Sequence, residues 1–359
     1  MIDDLPDIVR ALALQGAACR SMGSPLSGEL LDRASADWES GGAVQVLLAP
    51  WDGLGLKALF EAAVPLRMLA AWRELALSGD DPTVASAYQQ LDAEAIWAAV
   101  RPAMAQRRDR FAAFMSHEPQ TNEVRRSIGL LGGFLEVARA TRLPLRCFEI
   151  AASAGLNLSW DRYRYAIGEA TWGDPGAGVK LDTEWQGGLP PLDAPVRVIE
   201  RAACDRRPTD LADPAERRRL ESYIWADQPE RIARIAAAIA VAVDQDVRVD
   251  AADALDWVRA RVRPQAGAAT VLYHSVFWTY MSADQQEALT AAIEGLGAQA
   301  TADAPFSWLR LEPAADDITT MDLRLTVWPG GEERLLARAN PHCAWVRWLE
   351  PGPSVANPS

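Results

Sequence analysis

Basic residues are in the minority in this chain, and its cysteines and histidines are few and scattered. Lysine and arginine together number 36 against 49 aspartates and glutamates, for a formal net charge of -13. A protein that grips a phosphate backbone normally presents a basic face, so this balance argues against nucleic acid as a partner. The four cysteines, at positions 19, 147, 204 and 343, form no close pair. That spacing excludes a disulfide framework or a zinc ribbon and suits a reducing compartment, with the cytoplasm as the expected location. His117, His274 and His342 are equally dispersed and offer no paired metal-ligand spacing. At most, Asp250 and Asp253 offer a transient seat for Mg²⁺. The longest apolar run, Ala236 to Val243, falls well short of a bilayer span. The opening Met-Ile-Asp-Asp-Leu-Pro-Asp is acidic where a secretory signal is basic and then apolar, so neither export nor membrane attachment is expected.

What remains is ample material for a core. With 359 residues, 49% of them hydrophobic, the chain accommodates two domains or one large α/β domain with an appendage. Fourteen tryptophans, several beside proline or glycine as at Trp51, Trp172 and Trp328, read as core-filling anchors rather than stacking platforms.

Up to about residue 140, apolar residues recur at helical spacing, with breaks at Gly23 to Pro25, Pro50 to Gly55, Ser78 to Pro82 and Pro119. This predicts an all-α N-terminal domain over residues 1–119; Val44 to Leu48 is compatible with a short strand or a helical turn. From 145 onward strand and helix alternate. Strands are expected at Leu145 to Ile150, Val196 to Glu200, Val247 to Asp250, Ala269 to Ser275 and Phe306 to Leu311. Helices are expected at Asn122 to Thr141, Pro214 to Ser222, Gln228 to Val243, Ala254 to Val262 and Ser282 to Gly295, the last with Ser282 as N-cap. Such alternation argues for parallel β-α-β units. Asp322 to Trp328, Pro-Gly-Gly and Glu333 to Arg338 carry a hairpin signature, so the sheet is expected to finish with antiparallel strands. The α/β domain is placed at 120–350, with an insert at 161–195 rich in Gly, Pro and Trp that reads as a flap or short hairpin.

The most informative stretch is Cys147 to Tyr163, where an apolar strand ends in a turn of small residues. In an open parallel sheet, ligands occupy the crevice at the carboxyl ends of the strands, and small side chains admit close backbone approach. Glu149-x-Ala151-x-Ser153-x-Gly155 reads as a Glu-x-Gly-x-Gly-x-Gly loop with two glycines replaced. A position that needs positive φ resists such replacement.

With a helix leading into this loop strand and a hairpin closing the chain, the C-terminal part resembles a class I S-adenosylmethionine-dependent methyltransferase domain of Rossmann-like fold. The whole chain also resembles a family of uncharacterised bacterial proteins, domain-of-unknown-function family 2332. The stretches carrying that second likeness are Gln120 to Val124, Glu149 to Tyr165, Ser222 to Pro229 and Tyr273 to Tyr280. The methyltransferase resemblance implies S-adenosylmethionine as cofactor and a small-molecule or protein methyl acceptor. It assigns the methionine part of the cofactor to Glu149, Ala151, Ser153 and Gly155. Asn157 either bonds the ligand carboxylate or caps the next segment. Glu200 matches the acid that takes both ribose hydroxyls, because a carboxylate offers two acceptor oxygens to two donors. It lies 45 residues beyond Gly155, where roughly 20 is usual. Asp253, followed by Ala254, matches the acid that receives the adenine amino group, or caps the helix from Ala254.

At the end of the fourth strand, His274 stands where the pattern places substrate-facing groups, and an imidazole titrating near neutrality is suited to taking a proton from the acceptor. A buried histidine satisfied by backbone is the plain alternative. Asn122 and Glu123, with Gln120 and Arg126, precede or open the helix that leads to the first strand. They are placed near the pocket together with Tyr280 as substrate contacts, and Thr121 with Glu123 also suits capping.

Two rival functions use the same residues. Ala151-Ala-Ser153-Ala-Gly155 approximates a nucleophile elbow, giving a serine hydrolase with Ser153, Asp253 and either His274 or His342; the helical segment before it argues against that fold. A methyltransferase-like scaffold or ligand sensor without catalysis is the other. Convergence of Glu149, Glu200 and Asp253 on one pocket discriminates between them. The sequence does not fix the oligomeric state.

Overall fold

A computed structural model of the chain describes residues 5–120 and 122–349. The chain forms two compact units. The first comprises Met1–Thr121 and Ala212–Ala236, and the second Asn122–Leu211 and Ala237–Ser359.

The first unit is helical, as its periodicity predicts. It contains α1 (Asp7–Ser21), α2 (Pro25–Glu39), α3 (Ala43–Leu48), α4 (Leu56–Glu61), α5 (Val64–Ser78), α6 (Pro82–Gln90), α7 (Ala93–Gln106) and α8 (Arg108–Met115). Proline opens α2 and α6, where its missing N–H is one of the orphaned donors anyway, and the Ser24 and Asp81 side chains satisfy neighbouring amides. Asp92 does the same for α7. Val44 to Leu48 is thus a helical turn. Leu12, Leu31, Leu48, Met68, Trp72 and Ile96 are wholly buried in the core of this unit.

The α9 helix (Arg126–Thr141) opens the second unit, and α10 (Pro214–Ser222) then belongs to the first. The boundary expected at 119/120 is therefore accompanied by a second excursion, and 212–236 is not part of the sheet unit as the expected 120–350 domain had it. Polar side chains account for this: Glu74 pairs with Arg110 at 2.8 Å and with Arg218 at 2.9 Å. Asp227 accepts from Ser24 Oγ at 2.6 Å and from the Leu26 amide at 3.0 Å, which places a carboxylate at the start of α2. The α11 helix (Pro229–Asp244) carries the chain back to the second unit.

The second unit is a mixed α/β structure built on a mostly parallel eleven-stranded sheet. Its strands are β1 (Leu145–Ile150), β2 (Arg164–Ile167), β3 (Ala170–Trp172), β4 (Lys180–Gly187), β5 (Val198–Asp205), β6 (Asp250–Ala251), β7 (Ala269–Ser275), β8 (Phe306–Pro313), β9 (Met321–Trp328), β10 (Glu332–Ala339) and β11 (Trp345–Trp348). They lie in the order β3-β2-β4-β11-β10-β9-β8-β7-β1-β5-β6. From β6 to β8 every neighbouring pair is parallel, and β8-β9-β10-β11 is an antiparallel meander containing the expected hairpin. The 161–195 insert contains a short hairpin, one of its two expected forms, with β2 paired antiparallel to β3, rather than a flap at the carboxyl edge. Its strands β2, β3 and β4 extend the sheet beyond β11, with which β4 pairs in parallel.

Helix α9 covers the face of the sheet that carries Tyr273 and Leu309. It lies close because Gly132 and Gly133 present no side chain, and a Cβ at either would collide with Trp348 or Leu309. Helices α12 (Ala254–Arg261) and α13 (Ala283–Gly297) serve the other face, where Phe148, Ile150, Cys204, Val258, Leu272 and Phe306 form a continuous core. Ser282 and Gln285 close a reciprocal capping box at the start of α13, as expected for Ser282. Among the described residues, no helix is long and apolar enough to cross a membrane.

Candidate functional site

Strand β1 sits between β7 and β5, where successive connections leave in opposite directions along the sheet. In open α/β sheets such a switch point is where ligands bind, outside the carboxyl ends of the strands. The loop that leaves β1 there has an unusual backbone: Ala151, Ser153 and Gly155 take φ of 55°, 56° and 71° in alternation. Only glycine enters that region freely, so two of the three positions are strained.

Hydrogen bonds impose the strain. The Ala152 amide donates to Cys204 O at 3.0 Å and the Ser153 amide to Asp205 Oδ2 at 2.8 Å. The Thr209 amide donates to Ser153 O at 3.2 Å, and Gly155 N to Ala152 O at 2.8 Å. The Leu156 amide is taken by Asn122 Oδ1 at 3.0 Å. At Gly155 a Cβ would come within 2.9 Å of Val247 and Val249, so the glycine is required by space as well as by φ. The loop thus keeps a glycine-type path with two non-glycine residues, held by the end of β5 and the segment before α9.

No long helix follows. Leu156–Arg162 forms a kinked 3₁₀ segment whose carbonyls are satisfied by phenols: Tyr163 donates to Leu156 O at 2.5 Å and Tyr165 to Trp160 O at 2.6 Å. Arg201 anchors the segment to β5 through Asp161 at 2.6 Å.

Glu149, on β1, is 2% exposed. Its Oε2 accepts from the Tyr273 hydroxyl at 3.2 Å. Burial pushes its carboxyl up to about 8; the Tyr273 hydrogen bond opposes this, the Asp205 charge adds to it, and Arg126 draws it down. The group is therefore largely protonated at neutral pH. Its Oε1 has no partner among the described residues, and the buried Ser153 Oγ also lacks one.

Asn122, Glu123 and Asn157 come together at this loop. Asn122 takes φ of 32° to present its side chain to Leu156. Asn157 neither caps nor projects; its Oδ1 accepts from Ser127 Oγ at 2.6 Å and its amide donates to Glu123 O at 3.5 Å. The Glu123 carboxylate accepts from the Arg125 amide at 3.2 Å and faces His342 Nδ1 at 3.5 Å. Asn122 to Arg125 precede α9 rather than forming its first turn, and Thr121 lies outside the described residues.

Four expectations need correction. Glu200 is not at a strand end: β5 continues to Asp205, and Glu200 lies in register with Arg146, with which it pairs at 2.5 Å. The strand-end acid is Asp205. A longer reading of Ala202-Ala203-Cys204 as strand interior identifies it, since those residues are buried. His274 has no nitrogen free for a substrate. It is fully buried, Nδ1 meets Glu312 Oε1 at 2.6 Å, and Nε2 lies 3.1 Å from the donating Trp308 Nε1–H, within a cluster that includes Trp278. The accepting Nε2 makes Nδ1 the protonated nitrogen. Tyr280, expected as a substrate contact, is 75% exposed on a short 3₁₀ turn, without the burial of a pocket-lining side chain. The Ser153 hydroxyl has no hydrogen-bond partner among the described residues and so is not paired with His274 or His342 as the hydrolase reading expects.

Asp253 caps α12, accepting from the Leu255 amide at 2.9 Å through Oδ1, while its exposed Oδ2 stays open. Ala254 follows it, buried. Asp250 holds the Trp257 indole N–H at 2.7 Å, so both carboxylates of the candidate Mg²⁺ pair serve the start of α12. Among the described residues, no three His, Cys, Asp or Glu side chains cluster as a metal site. β5 and β6 run side by side in register at Cys204–Asp250 and Asp205–Ala251, which brings the Asp205 and Asp253 ends of these strands to the same edge as the β1 loop.

A family model described as "uncharacterized protein conserved in bacteria (DUF2332)" matches residues 9–348. No curated protein and no solved structure matches the chain.

Proposed function

The chain belongs to this DUF2332 family of bacterial proteins, and we propose that its sheet unit is a methyltransferase-type Rossmann domain that binds S-adenosylmethionine and transfers its methyl group to a small-molecule or protein acceptor. The alternating positive φ of Ala151, Ser153 and Gly155 carries this reading. A backbone that retains a glycine-loop path at the cost of strain fits a loop selected for close approach to a ligand. The neighbouring strands support it, because β6-β5-β1-β7-β8 is a doubly wound order with β1 at the switch point.

The direction of the loop amides favours this cofactor over a nucleotide phosphate. Ala152, Ser153, Gly155 and Leu156 all donate to protein acceptors, so the loop offers little of the amide cradle that a phosphate needs. The side-chain groups around the loop are carboxyl and hydroxyl: the buried Glu149 Oε1 and Ser153 Oγ, then Asp205 and the exposed Asp253 Oδ2. These are acceptors suited to an ammonium, a ribose diol and an adenine amino group.

In this reading Ala151, Ser153 and Gly155 lie against the methionine half, with the protonated Glu149 nearby as a neutral hydrogen-bonding carboxyl. Asp205 takes the ribose hydroxyls in place of Glu200, and Asp253 with Ala254 borders the adenine. S-adenosylmethionine supplies an electrophilic methyl group on a sulfonium. The chain's own residues bind and orient it. With His274 enclosed, the acceptor is one that needs no imidazole to lose a proton.

Calorimetric titration with S-adenosylmethionine and S-adenosylhomocysteine tests the proposal. Saturable micromolar binding of both supports it. Absence of binding by either removes it and leaves a scaffold built on the same sheet.

A further inference from the structure

We infer that Arg126, the residue that opens α9, is the receptor for a ligand carboxylate beside the β1 loop. The inference rests on the cofactor reading above, in which the acids and hydroxyls of the site leave a carboxylate unanswered. Arg126 is half-buried. A guanidinium has five N–H donors, and the structure uses one, with Nε donating to Pro341 O at 3.4 Å.

Hydrogen bonds tie the chain on both sides of Arg126 to the loop. Before it, Asn122 Oδ1 takes the Leu156 amide at 3.0 Å and Glu123 O accepts from Asn157 Nδ2 at 3.5 Å. After it, Ser127 Oγ donates to Asn157 Oδ1 at 2.6 Å. The Arg126 amide closes onto Glu123 O at 3.2 Å. Arg126 is thus anchored by contacts to Leu156 and Asn157, the two residues directly after Gly155.

Among the described residues no carboxylate pairs with Arg126, and its Nη1 and Nη2 are open to solvent. The acids around it are turned elsewhere or neutral. Glu123 accepts from the Arg125 amide at 3.2 Å and faces His342 Nδ1 at 3.5 Å, while Asp182 lies 3.2 Å from Arg125 Nη2. Glu149, whose carboxyl the Arg126 charge draws down, is still largely protonated at neutral pH. The other donors of the loop are taken: the Ala152, Ser153, Gly155 and Leu156 amides and the Asn157 side chain all donate to protein acceptors. A carboxylate arriving at this edge therefore finds its charged donor in Arg126, whose planar fork suits paired oxygens. It belongs either to the methionine end of the cofactor or to the methyl acceptor.

The test is calorimetric titration of the full chain, beside Arg126→Gln and Arg126→Lys, with S-adenosylhomocysteine and with methylthioadenosine, which keeps the nucleoside and thioether but lacks the amino-acid end. With the cofactor as the source, Arg126→Gln weakens S-adenosylhomocysteine by about tenfold or more and Arg126→Lys several-fold, while methylthioadenosine binds every chain alike. With the acceptor as the source, both nucleosides bind unchanged, and saturable binding of acetate to the chain loaded with S-adenosylhomocysteine is lost in Arg126→Gln. Unaltered S-adenosylhomocysteine affinity without acetate binding that depends on Arg126 overturns the inference and leaves the cofactor reading standing. An equal loss for both nucleosides marks a structural role and overturns it as well. Failure of the wild-type chain to bind either nucleoside removes the inference and the cofactor reading together. Should Arg126→Gln fail to fold, Arg126→Lys decides alone, since it keeps the charge and removes only the fork.

Discussion

Asp205 accepts the Ser153 amide at 2.8 Å, so the last residue of β5 holds the middle of the β1 loop in a conformation that serine otherwise avoids. The acid does two things with one side chain: Oδ2 fixes the loop, while Oδ1 takes the Arg207 amide and turns the chain out of β5. A ligand placed there meets a loop already ordered.

Ser153→Gly should stabilise the protein by about 1 kcal/mol, because glycine relieves the positive φ and removes a buried hydroxyl without a partner, gains only partly offset by its greater chain entropy. Ser153→Val should destabilise it by about 2 kcal/mol, since a β-branched residue fits that region worst. Urea unfolding of both variants checks this. Equal stability of the two would mean that the loop carries no strain.

Asp205→Asn is expected to weaken S-adenosylhomocysteine binding by about tenfold or more, since a charge-assisted acceptor is lost. Glu200→Ala should leave affinity within about twofold and reduce stability by about 1 kcal/mol or more, since it removes the partner of the buried Arg146, which keeps its bonds to Arg263 O and Thr270 Oγ1. The reverse ranking, measured by calorimetry, would return the ribose site to Glu200.

For Glu149 the prediction concerns pH. Its carboxyl titrates near 8 in the folded chain against an ordinary 4.5. The folded state holds this proton more tightly than the unfolded chain does. The associated stability is therefore complete below the unfolded value and is lost as pH rises through the folded one. Glu149→Gln removes the titration, so its stability relative to wild type should rise between pH 5 and 8.5 by on the order of 4 kcal/mol. Unfolding curves at the two pH values measure it; a pH-independent difference would place the carboxyl in its ordinary range.

His274→Ala should cost about 3 kcal/mol, because it leaves the Glu312 carboxylate and the Trp308 indole N–H without their partner. Below the lowered melting temperature its S-adenosylhomocysteine affinity should match wild type. A stable variant with altered affinity would return His274 to the site.

Local patterns were legible in the sequence where apolar strands had clean ends. Leu145 to Ile150 and Ala269 to Ser275 emerge with the residues expected of them, as does the hairpin around Pro-Gly-Gly. The second strand was misplaced because Arg197, Glu200 and Arg201 interrupt its apolar pattern, and their mutual compensation with Arg146 and Asp161 depends on partners distant in the chain. That error transferred the strand-end acid from Asp205 to Glu200. The insert strands were hidden for a similar reason: Lys180 to Gly187 alternates only weakly and gains its place from β11, some 160 residues later. Positive φ at Ala151 and Ser153 has no signature in residue type, since nothing about alanine or serine announces a left-handed backbone. The enclosure of His274 likewise depends on Trp308 and Glu312, which only sheet pairing brings alongside it.

The return of 212–236 to the helical unit has a consequence for synthesis. The first 121 residues emerge from the ribosome without the segment that supplies Arg218 and Asp227, so Glu74 and the start of α2 wait for roughly a hundred further residues before they can be completed. At about 5–20 residues per second that interval lasts on the order of 10 seconds. During it the core of the helical unit lacks Tyr223 and the flanking Trp225, which the later segment supplies.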